Sequence, residues 1–461
     1  MNWRSWEKGS LPDRGGMKVE PRSKGLKPAA LVIGGGIAGM QASLDIADAG
    51  FLVYLVEREP SIGGHMAQLD KTFPTLDCSS CILTPKMVDV ARHPNIQLIS
   101  YAEVVGVDGG IGHFKVRVKQ KPRYVDVDRC TGCGLCVEAC RLKGRITSEF
   151  DVGVSKRGAV YIPFPQAVPL KATIDPERCV FITRGVCGKV PACREACPAE
   201  AIDFEQKEEM IEVEVGAIIV ATGFDLFDAR LKPEFGYGLY PNVISGLQFE
   251  RLSSASGPTR GKITLNGQEP KKVVFIQCVG SRDKSVGVEY CSRVCCMYTA
   301  KQAHLVKEKI PDAEVTVLYI DVRAFGKGFE EFYDRVRGEG VIYRRGNPSE
   351  IYKRGERLIV MTEDTLLGES LQLEADLVVL ATGIAPRGDA SDLATLLRLS
   401  PSPDGFFQEA HPKWRPVETE REGVYLAGCC QGPKDIPDAV AQAKAAASSA
   451  LIALRNYMEV S

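Results

Sequence analysis

Strand-like apolar segments, glycine turns and helix-spaced stretches alternate along this chain. Ala29 to Ile33 is an apolar strand that runs into Gly34-x-Gly36-x-x-Gly39, and a helical stretch follows from Met40 to Ala49. A second strand, Leu52 to Val56, ends at Glu57. Two more strand-to-loop segments read Ile218-Ile219-Val220-Ala221-Thr222-Gly223 and Val378-Val379-Leu380-Ala381-Thr382-Gly383. Lys272 to Ile276 is a further strand, followed by an apparent helix from Val294 to Glu308. Near the end, Gly423-Val424-Tyr425-Leu426-Ala427-Gly428 precedes a long alanine-rich helix, Ile436 to Leu454. Strands alternating with helices predict an α/β protein.

The first glycine cluster sits in the strand–turn–helix context of a dinucleotide site. Gly34 allows the tight turn, Gly36 lets the backbone approach a pyrophosphate, and Gly39 permits close helix packing. A pyrophosphate is favoured at the helix N-terminus by unpaired N–H groups and the helix dipole. Glu57, 18 residues past Gly39, is placed to accept from ribose hydroxyls. Ser61-Ile62-Gly63-Gly64 follows directly.

Composition narrows the class. At 461 residues the chain has room for about two or three domains with substantial cores. A hydrophobic content of 44% and a formal net charge of −1 suit a soluble globular protein and argue against a basic nucleic-acid-binding surface. No apolar run approaches the roughly 18 residues of a membrane span. The basic stretch Met1 to Lys27 has no apolar core of a secretory signal, and reads as an arm or a lead-in that packs on a partner.

Sixteen cysteines change the picture most. Cys130, Cys133, Cys136 and Cys140 form Cys-x2-Cys-x2-Cys-x3-Cys, while Cys179, Cys187, Cys193 and Cys197 end in Cys-x3-Cys-Pro. In a ferredoxin-like module such runs hold two [4Fe-4S] clusters, the last cysteine of each run serving the other run's cluster. Cys140 is followed by Arg141, not proline, and the second run is longer-spaced than usual. Thiolate ligation requires reduced cysteines, which predicts a cytoplasmic location in an anaerobe.

The glycine motifs after Glu57, at Thr222-Gly223, at Thr382-Gly383 and at Gly428 resemble the two-dinucleotide-domain flavoproteins related to thioredoxin reductase and glutathione reductase. That resemblance, over about residues 29 to 456, implies FAD on Gly34, Gly36, Gly39, Glu57, Gly64, Thr222, Gly223 and Gly428. Such proteins carry a second glycine fingerprint for NAD(P)H. Here the strand from Lys272 instead runs through Gln277-Cys278-Val279-Gly280-Ser281-Arg282, and Cys291, Cys295 and Cys296 follow. Four thiolates suffice for one cubane, so the lost pocket is expected to hold a third [4Fe-4S] cluster. The N-terminus of the following helix is expected to lower the thiols' pKa.

Four stretches make a closer resemblance. Asp77-Cys78-Ser79-Ser80-Cys81-Ile82-Leu83-Thr84-Pro85-Lys86-Met87, Tyr161-Ile162-Pro163-Phe164-Pro165-Gln166-Ala167-Val168-Pro169, the run from Tyr290 to Lys301, and Gly428-Cys429-Cys430-Gln431-Gly432-Pro433-Lys434-Asp435-Ile436 resemble the A subunit of heterodisulfide reductases. The resemblance implies FAD with several [4Fe-4S] clusters, the extra one on Cys278, Cys291, Cys295 and Cys296. It also implies a flavin-side lysine at Lys301, where a cation stabilises reduced flavin. The implied role is an electron-transfer hub that exchanges paired for single electrons, with flavin-based bifurcation as one form of it. Implied partners are subunits like the family's B and C chains, hydrogenase or formate dehydrogenase modules and ferredoxin, with a homodimer inside the complex also open. Similarity to the A subunit of quinone-interacting membrane-bound oxidoreductases keeps that alternative, and a stand-alone NAD(P)H-dependent disulfide reductase is the other. Fuller family members have domains before residue 29 and after residue 456, so a short form is expected.

The resulting expectation is an α/β, thioredoxin-reductase-like two-domain flavoprotein with an inserted two-cluster ferredoxin-like module. Its parts are an arm (1–28), the first FAD segment (29–124), the module (125–206), an FAD-domain return (207–244), a second nucleotide-like domain with the third cluster (245–385) and a C-terminal FAD segment (386–461). Cys78-x-x-Cys81 has three open readings: a dithiol facing the flavin, ligands of a cluster shared with a partner, or a structural pair. Cys429 and Cys430 are expected to line the flavin's ribityl or phosphate region. His65 reads as an ordinary surface residue that could touch the flavin.

Overall fold

Strands Ala29–Ile33, Ala217–Val220 and Val424–Leu426 are buried along their whole length, as expected of parallel strands covered on both faces. A computed structural model describes residues 29–265 and 267–460; the arm expected over residues 1–28 lies outside the described residues. The three strands join Leu52–Glu57 and Ile96–Ser100 in a five-stranded parallel sheet, with Ala29–Ile33 at its centre. Helices Ile37–Asp48 and Ile436–Val460 cover one face, and Ala42 and Ile46 meet Ala443, Ala446, Ala447 and Ala450 in one core. The alanine stripe lets the two helices approach closely. A three-stranded antiparallel sheet, Ala102–Asp108, Phe114–Gln120 and Glu209–Val215, packs on the other face.

The same plan repeats. A second five-stranded parallel sheet orders Val243–Ser245, Leu377–Thr382, Lys272–Val279, Glu314–Tyr319 and Ile342–Arg345, with its own antiparallel sheet, Glu350–Arg354, Arg357–Asp364 and Glu369–Ala375. Each half is thus a small α/β domain with its own core. A two-residue antiparallel contact, Asp225–Leu226 with Ile384–Ala385, joins them.

The cysteine-rich segment enters and leaves through one hairpin. Gln120 and Glu209 are directly paired across the strands Phe114–Gln120 and Glu209–Val215. The segment's small core is built largely of Cys130, Cys136, Cys179 and Cys193 with Val125, Ile174 and Ile202. Two buried arginines fasten it to the rest. Arg123 donates to Pro60 O (2.7 Å), Ser100 Oγ (2.8 Å) and Thr173 Oγ1 (3.0 Å). Arg251, 1% exposed, pairs with Asp151 at 2.9 Å, donates to Gln68 O and lies over the Phe150 ring.

Candidate functional site

The glycines around the first turn divide by what surrounds them. At Gly34, in the left-handed region at φ +106°, a Cβ would stand 2.4 Å from Ala221 O, and at Gly39 one would stand 1.8 Å from Gly34 O. Both are therefore required by packing. At Gly36 a Cβ would meet nothing within 4 Å. Gly36 is the N-cap of the helix Ile37–Asp48 and gives it no side-chain cap, so the helix's first N–H groups face open space, which is how a pyrophosphate is cradled. Gly64 packs on Gly36 (3.2 Å from a Gly64 Cβ to Gly36 Cα), Thr222 lies beside Gly34, and Gly428 abuts Ala38. Gly223 is left-handed with open space at its Cβ. These residues fit a dinucleotide on chemical grounds as well as by sequence.

Glu57 is held from both sides. Its Oε2 accepts from Gly35 N at 2.6 Å and its Oε1 from Glu59 N at 2.7 Å. Burial raises its pKa, while the two backbone N–H groups pull it down. Each oxygen keeps a second lone pair, so a ribose hydroxyl can still donate to it.

In the inserted segment, Cys130, Cys133, Cys136 and Cys197 line one small cavity; Cys140, Cys179, Cys187 and Cys193 line another. The last cysteine of each run thus sits with the other run's three. Among the described residues no three ligand groups stand close enough to hold a single metal ion; a cubane needs a wider set, because each thiolate binds a different iron. Burial, then repulsion from Cys130, Cys197 and Cys133, pushes the Cys136 thiol up to about 11. The same causes, with Cys140, Cys179 and Cys187 as neighbours, push Cys193 to about 12. Four like charges gathered in this way are tolerated only around a cationic partner, and an iron cluster is such a partner.

A third set occupies the second parallel sheet. Cys278 is the last residue but one of the strand Lys272–Val279, inside a register shift between Ile276 and Val279, with φ +59°. Cys291 lies in the next loop, and Cys295 and Cys296 open the helix Cys295–Lys309. Cys278, Cys291 and Cys296 are all electrostatic neighbours of Cys295. Here the expectation of lowered thiol pKa values fails. Burial and mutual repulsion push Cys278 to about 12 and raise Cys295 and Cys296, outweighing the helix terminus. A left-handed cysteine costs about 1 kcal/mol relative to glycine, so the ligand stands where a dinucleotide turn would have a relaxed residue.

Lys301, 1% exposed, is enclosed and not a surface lysine. Its Nζ pairs with Glu250 Oε1 at 2.6 Å and donates to Lys71 O at 2.8 Å. Glu250 also accepts from Gln302 Nε2 at 2.6 Å and Asp70 N at 3.1 Å. Asp70 follows the short 3-10 turn Gly64–Gln68 by two residues, which ties the lysine to the glycine-rich loop. Glu250 is the partner sequence reasoning missed; it lies 51 residues from Lys301, on a helix without a motif.

Cys78 and Cys81 are joined by a disulfide, with Cα atoms 5.2 Å apart. Cys78 N-caps the helix Ser79–Arg92, and Ser79 Oγ donates to Met66 O, so the bridge is seated on the same loop. Cys81 is exposed. Bridged, the pair suits the dithiol and structural readings; reduced, the same two thiols could ligate a cluster shared with a partner. Cys429 and Cys430 are buried thiols donating to Lys434 O and to Val220 O and Ala427 O. Contrary to expectation, Cys430 is packed in the core behind the parallel sheet and does not line the flavin cradle. His65 bonds Gln68 Oε1 and Phe224 O and packs at a tilt on the Phe224 ring; it is half-buried and engaged.

Known proteins of similar sequence and fold agree with this geometry. The family described as FAD binding domain matches residues 29–68, and the 4Fe-4S binding domain matches residues 123–141. The A subunit of the H2:CoB-CoM heterodisulfide,ferredoxin reductase of Methanothermobacter marburgensis is 56% identical over 427 residues, covering 92% of this chain and 63% of the relative. The iron-sulfur A subunit of the CoB–CoM heterodisulfide reductase of Methanocaldococcus jannaschii is 54% identical, covering 92% of this chain and 64% of its own. An Archaeoglobus profundus protein, named as similar to the heterodisulfide reductase A subunit, is 48% identical over 471 residues, with 94% and 67% covered. The chain thus spans about two thirds of these relatives or slightly less. Thioredoxin reductases of Lactococcus lactis (TM-score 0.51, 13% identity, 93% of this chain and 100% of the other) and T. acidophilum (0.50, 14%, 94% and 98%) share the fold.

Proposed function

The chain belongs to the family of heterodisulfide reductase A subunits, and from that premise we propose that it is the FAD- and [4Fe-4S]-carrying hub of a multi-subunit reductase. It is a flavin oxidoreductase of α/β fold with an FAD-binding domain and a 4Fe-4S domain. FAD would rest on Gly34, Gly36, Gly39, Glu57, Gly64, Thr222, Gly223 and Gly428. Cys130, Cys133, Cys136 and Cys197 would hold one cluster, Cys140, Cys179, Cys187 and Cys193 a second, and Cys278, Cys291, Cys295 and Cys296 a third. When bound, the flavin supplies two-electron exchange and the clusters one-electron exchange.

The protein's part is placement and electrostatics. The uncapped helix start at Gly36 binds pyrophosphate, and Glu57 orients the adenosine ribose. The Lys301–Glu250 pair keeps a buried cation and its counter-charge beside the glycine loop, where a proton can be held without bulk water. The three thiolate sets, most of their cysteines buried or half-buried, keep solvent from the iron. Cluster sites on two different domains supply two separate electron paths, which is the arrangement flavin-based bifurcation needs. Partners of the kind printed for the relatives, a ferredoxin among them, complete the reading.

The third thiolate set carries this proposal, because it replaces the turn that would bind NAD(P)H. Anaerobically purified protein is expected to contain about twelve irons per FAD. Cys291→Ser should lose about four of them and keep the flavin. About eight irons per flavin in the unaltered protein would refute the third site.

A further inference from the structure

Cys179, Cys187 and Cys193 are spaced more widely than the second run of a ferredoxin usually is, and the extra residues form a surface. The loop bulges through Gly185 and Gly188, both left-handed (φ +67° and +94°), after the short helix Val180–Arg184. Val186 is 65% exposed and Val190 47%, one on each side of Cys187. Between Arg178 and Arg194 the chain contains four cations, Arg178, Arg184, Lys189 and Arg194, and no carboxylate. A fifth, Arg141, lies against the loop, its guanidinium 3.7 Å from where a Gly188 Cβ would stand.

These charges are not neutralised internally. Arg141, Arg184, Lys189 and Arg194 are exposed, and among the described residues none of them forms an ion pair. Beside the other cluster site Arg129 pairs with Glu200, and Lys171 donates to Cys130 O. The cavity lined by Cys140, Cys179, Cys187 and Cys193 opens beneath this loop, with Arg141, Val180 and Pro191 at its wall. A small apolar centre ringed by unpaired cations, directly over a redox centre, suits a transient complex steered by charge.

We propose that the 178–194 loop, with Arg141, is the docking surface for an acidic one-electron carrier protein of the ferredoxin class. The inference rests on the second [4Fe-4S] site proposed above. One electron passes between that cluster and the carrier's own iron–sulfur centre; one is oxidised as the other is reduced, and no proton or bond is exchanged. Val186 and Val190 would be covered by the carrier's apolar rim, while Arg141, Arg184 and Lys189 meet its carboxylates.

The test uses the anaerobically purified holoprotein, and as probe a purified acidic 2[4Fe-4S] ferredoxin reduced beforehand with titanium(III) citrate and freed of it. Stopped-flow bleaching gives the second-order rate constant. Arg184→Glu with Lys189→Glu should lower it about tenfold or more and flatten its decrease with salt. Val186→Ser, which keeps the charge unchanged, should lower it without changing the salt slope. Arg129→Glu, beside the other cluster site, should have no effect, and photoreduced deazaflavin, which needs no docking surface, should reduce all forms equally. Rate constants unchanged in the reversed variants would overturn the proposal. So would protection of Lys189 from acylation by another subunit in the native complex, combined with no ferredoxin effect. Loss of the second cluster itself is read separately from iron content: an unaltered protein with no iron on this module would sink the underlying site and not only its partner.

Discussion

Replacing one member of the Lys301–Glu250 pair should cost more than replacing both. The two side chains are 2.6 Å apart and each is 2% exposed, with neither reaching water. Glu250→Gln leaves a buried ammonium with neutral acceptors only, the amide oxygen at 250 and Lys71 O. Lys301→Met leaves a buried carboxylate held by Gln302 Nε2 and Asp70 N alone. Breaking a buried pair in this way costs about 3–5 kcal/mol, whereas replacing both charges with groups of similar volume is often close to neutral. At about 2–4 °C per kcal/mol for a cooperative unit of this domain's size, each single change should lower the melting temperature by roughly 6–20 °C. The double variant Glu250→Gln with Lys301→Met should melt above both singles. Calorimetry of the anaerobic holoproteins at one scan rate, matched for flavin and iron, makes the comparison. A double variant that melts at the sum of the two losses would refute the pair as a unit, and so would singles within about 1 °C of the parent.

Other expectations follow from the same geometry. Gly36→Ala should fold normally, since its Cβ meets nothing within 4 Å, yet retain much less FAD after gel filtration. Gly39→Ala, whose Cβ would sit 1.8 Å from Gly34 O, should instead destabilise the domain itself; equal flavin retention in Gly36→Ala and the parent would remove the pyrophosphate cradle. Glu57 has a raised carboxyl pKa in the folded chain, from burial. Between the ordinary value, about 4.3, and that raised one, the folded state holds more protons than the unfolded state, so this contribution to stability falls as pH rises. Relative to Glu57→Gln, the parent should therefore lose melting temperature on going from about pH 4 upward, and a pH-independent difference would contradict it. Asp151→Ala leaves Arg251 buried without its counter-ion, and should cost about 3–5 kcal/mol; limited proteolysis should then release the 121–208 segment faster than in the parent.

Part of this architecture is legible in local sequence and part is not. Ala29–Ile33, Gly34, Gly36 and Gly39 announce themselves because backbone sterics and strand burial act over a few residues. The cysteine sets are legible for a related reason: a cube of iron dictates ligand spacing, and the missing glycines after Ile276 direct attention to Cys278. Long-range charge pairing has no such signature. Glu250 meets Lys301 across 51 residues, and Arg251 meets Asp151 across 100; nothing near either pair signals the other partner. The direction of the thiol pKa shifts escapes sequence reasoning because a helix start is visible there, whereas burial of Cys278 and Cys295 is not. Cys430 escapes it for the same cause: two residues past Gly428 the chain has already turned under the sheet.

The paired strand ends at Gln120 and Glu209 have a bearing on how such a protein can be assembled from parts. Everything from residue 121 to 208 departs from and returns to neighbouring positions of one hairpin, so the flanking domain would be equally well closed by a tight turn of a few residues. The iron-bearing insert therefore behaves as a cartridge: its exchange for a homologous insert preserves the strand register on both sides. What a replacement must reproduce is Arg123, which reaches Pro60 O and Ser100 Oγ, Asp151, the seat of Arg251, and the apolar pair Phe164 and Ala167 that the insert lends to the flanking core. Electron-transfer modules of different potential could then be swapped on a single flavoprotein chassis by matching these contacts and one hairpin.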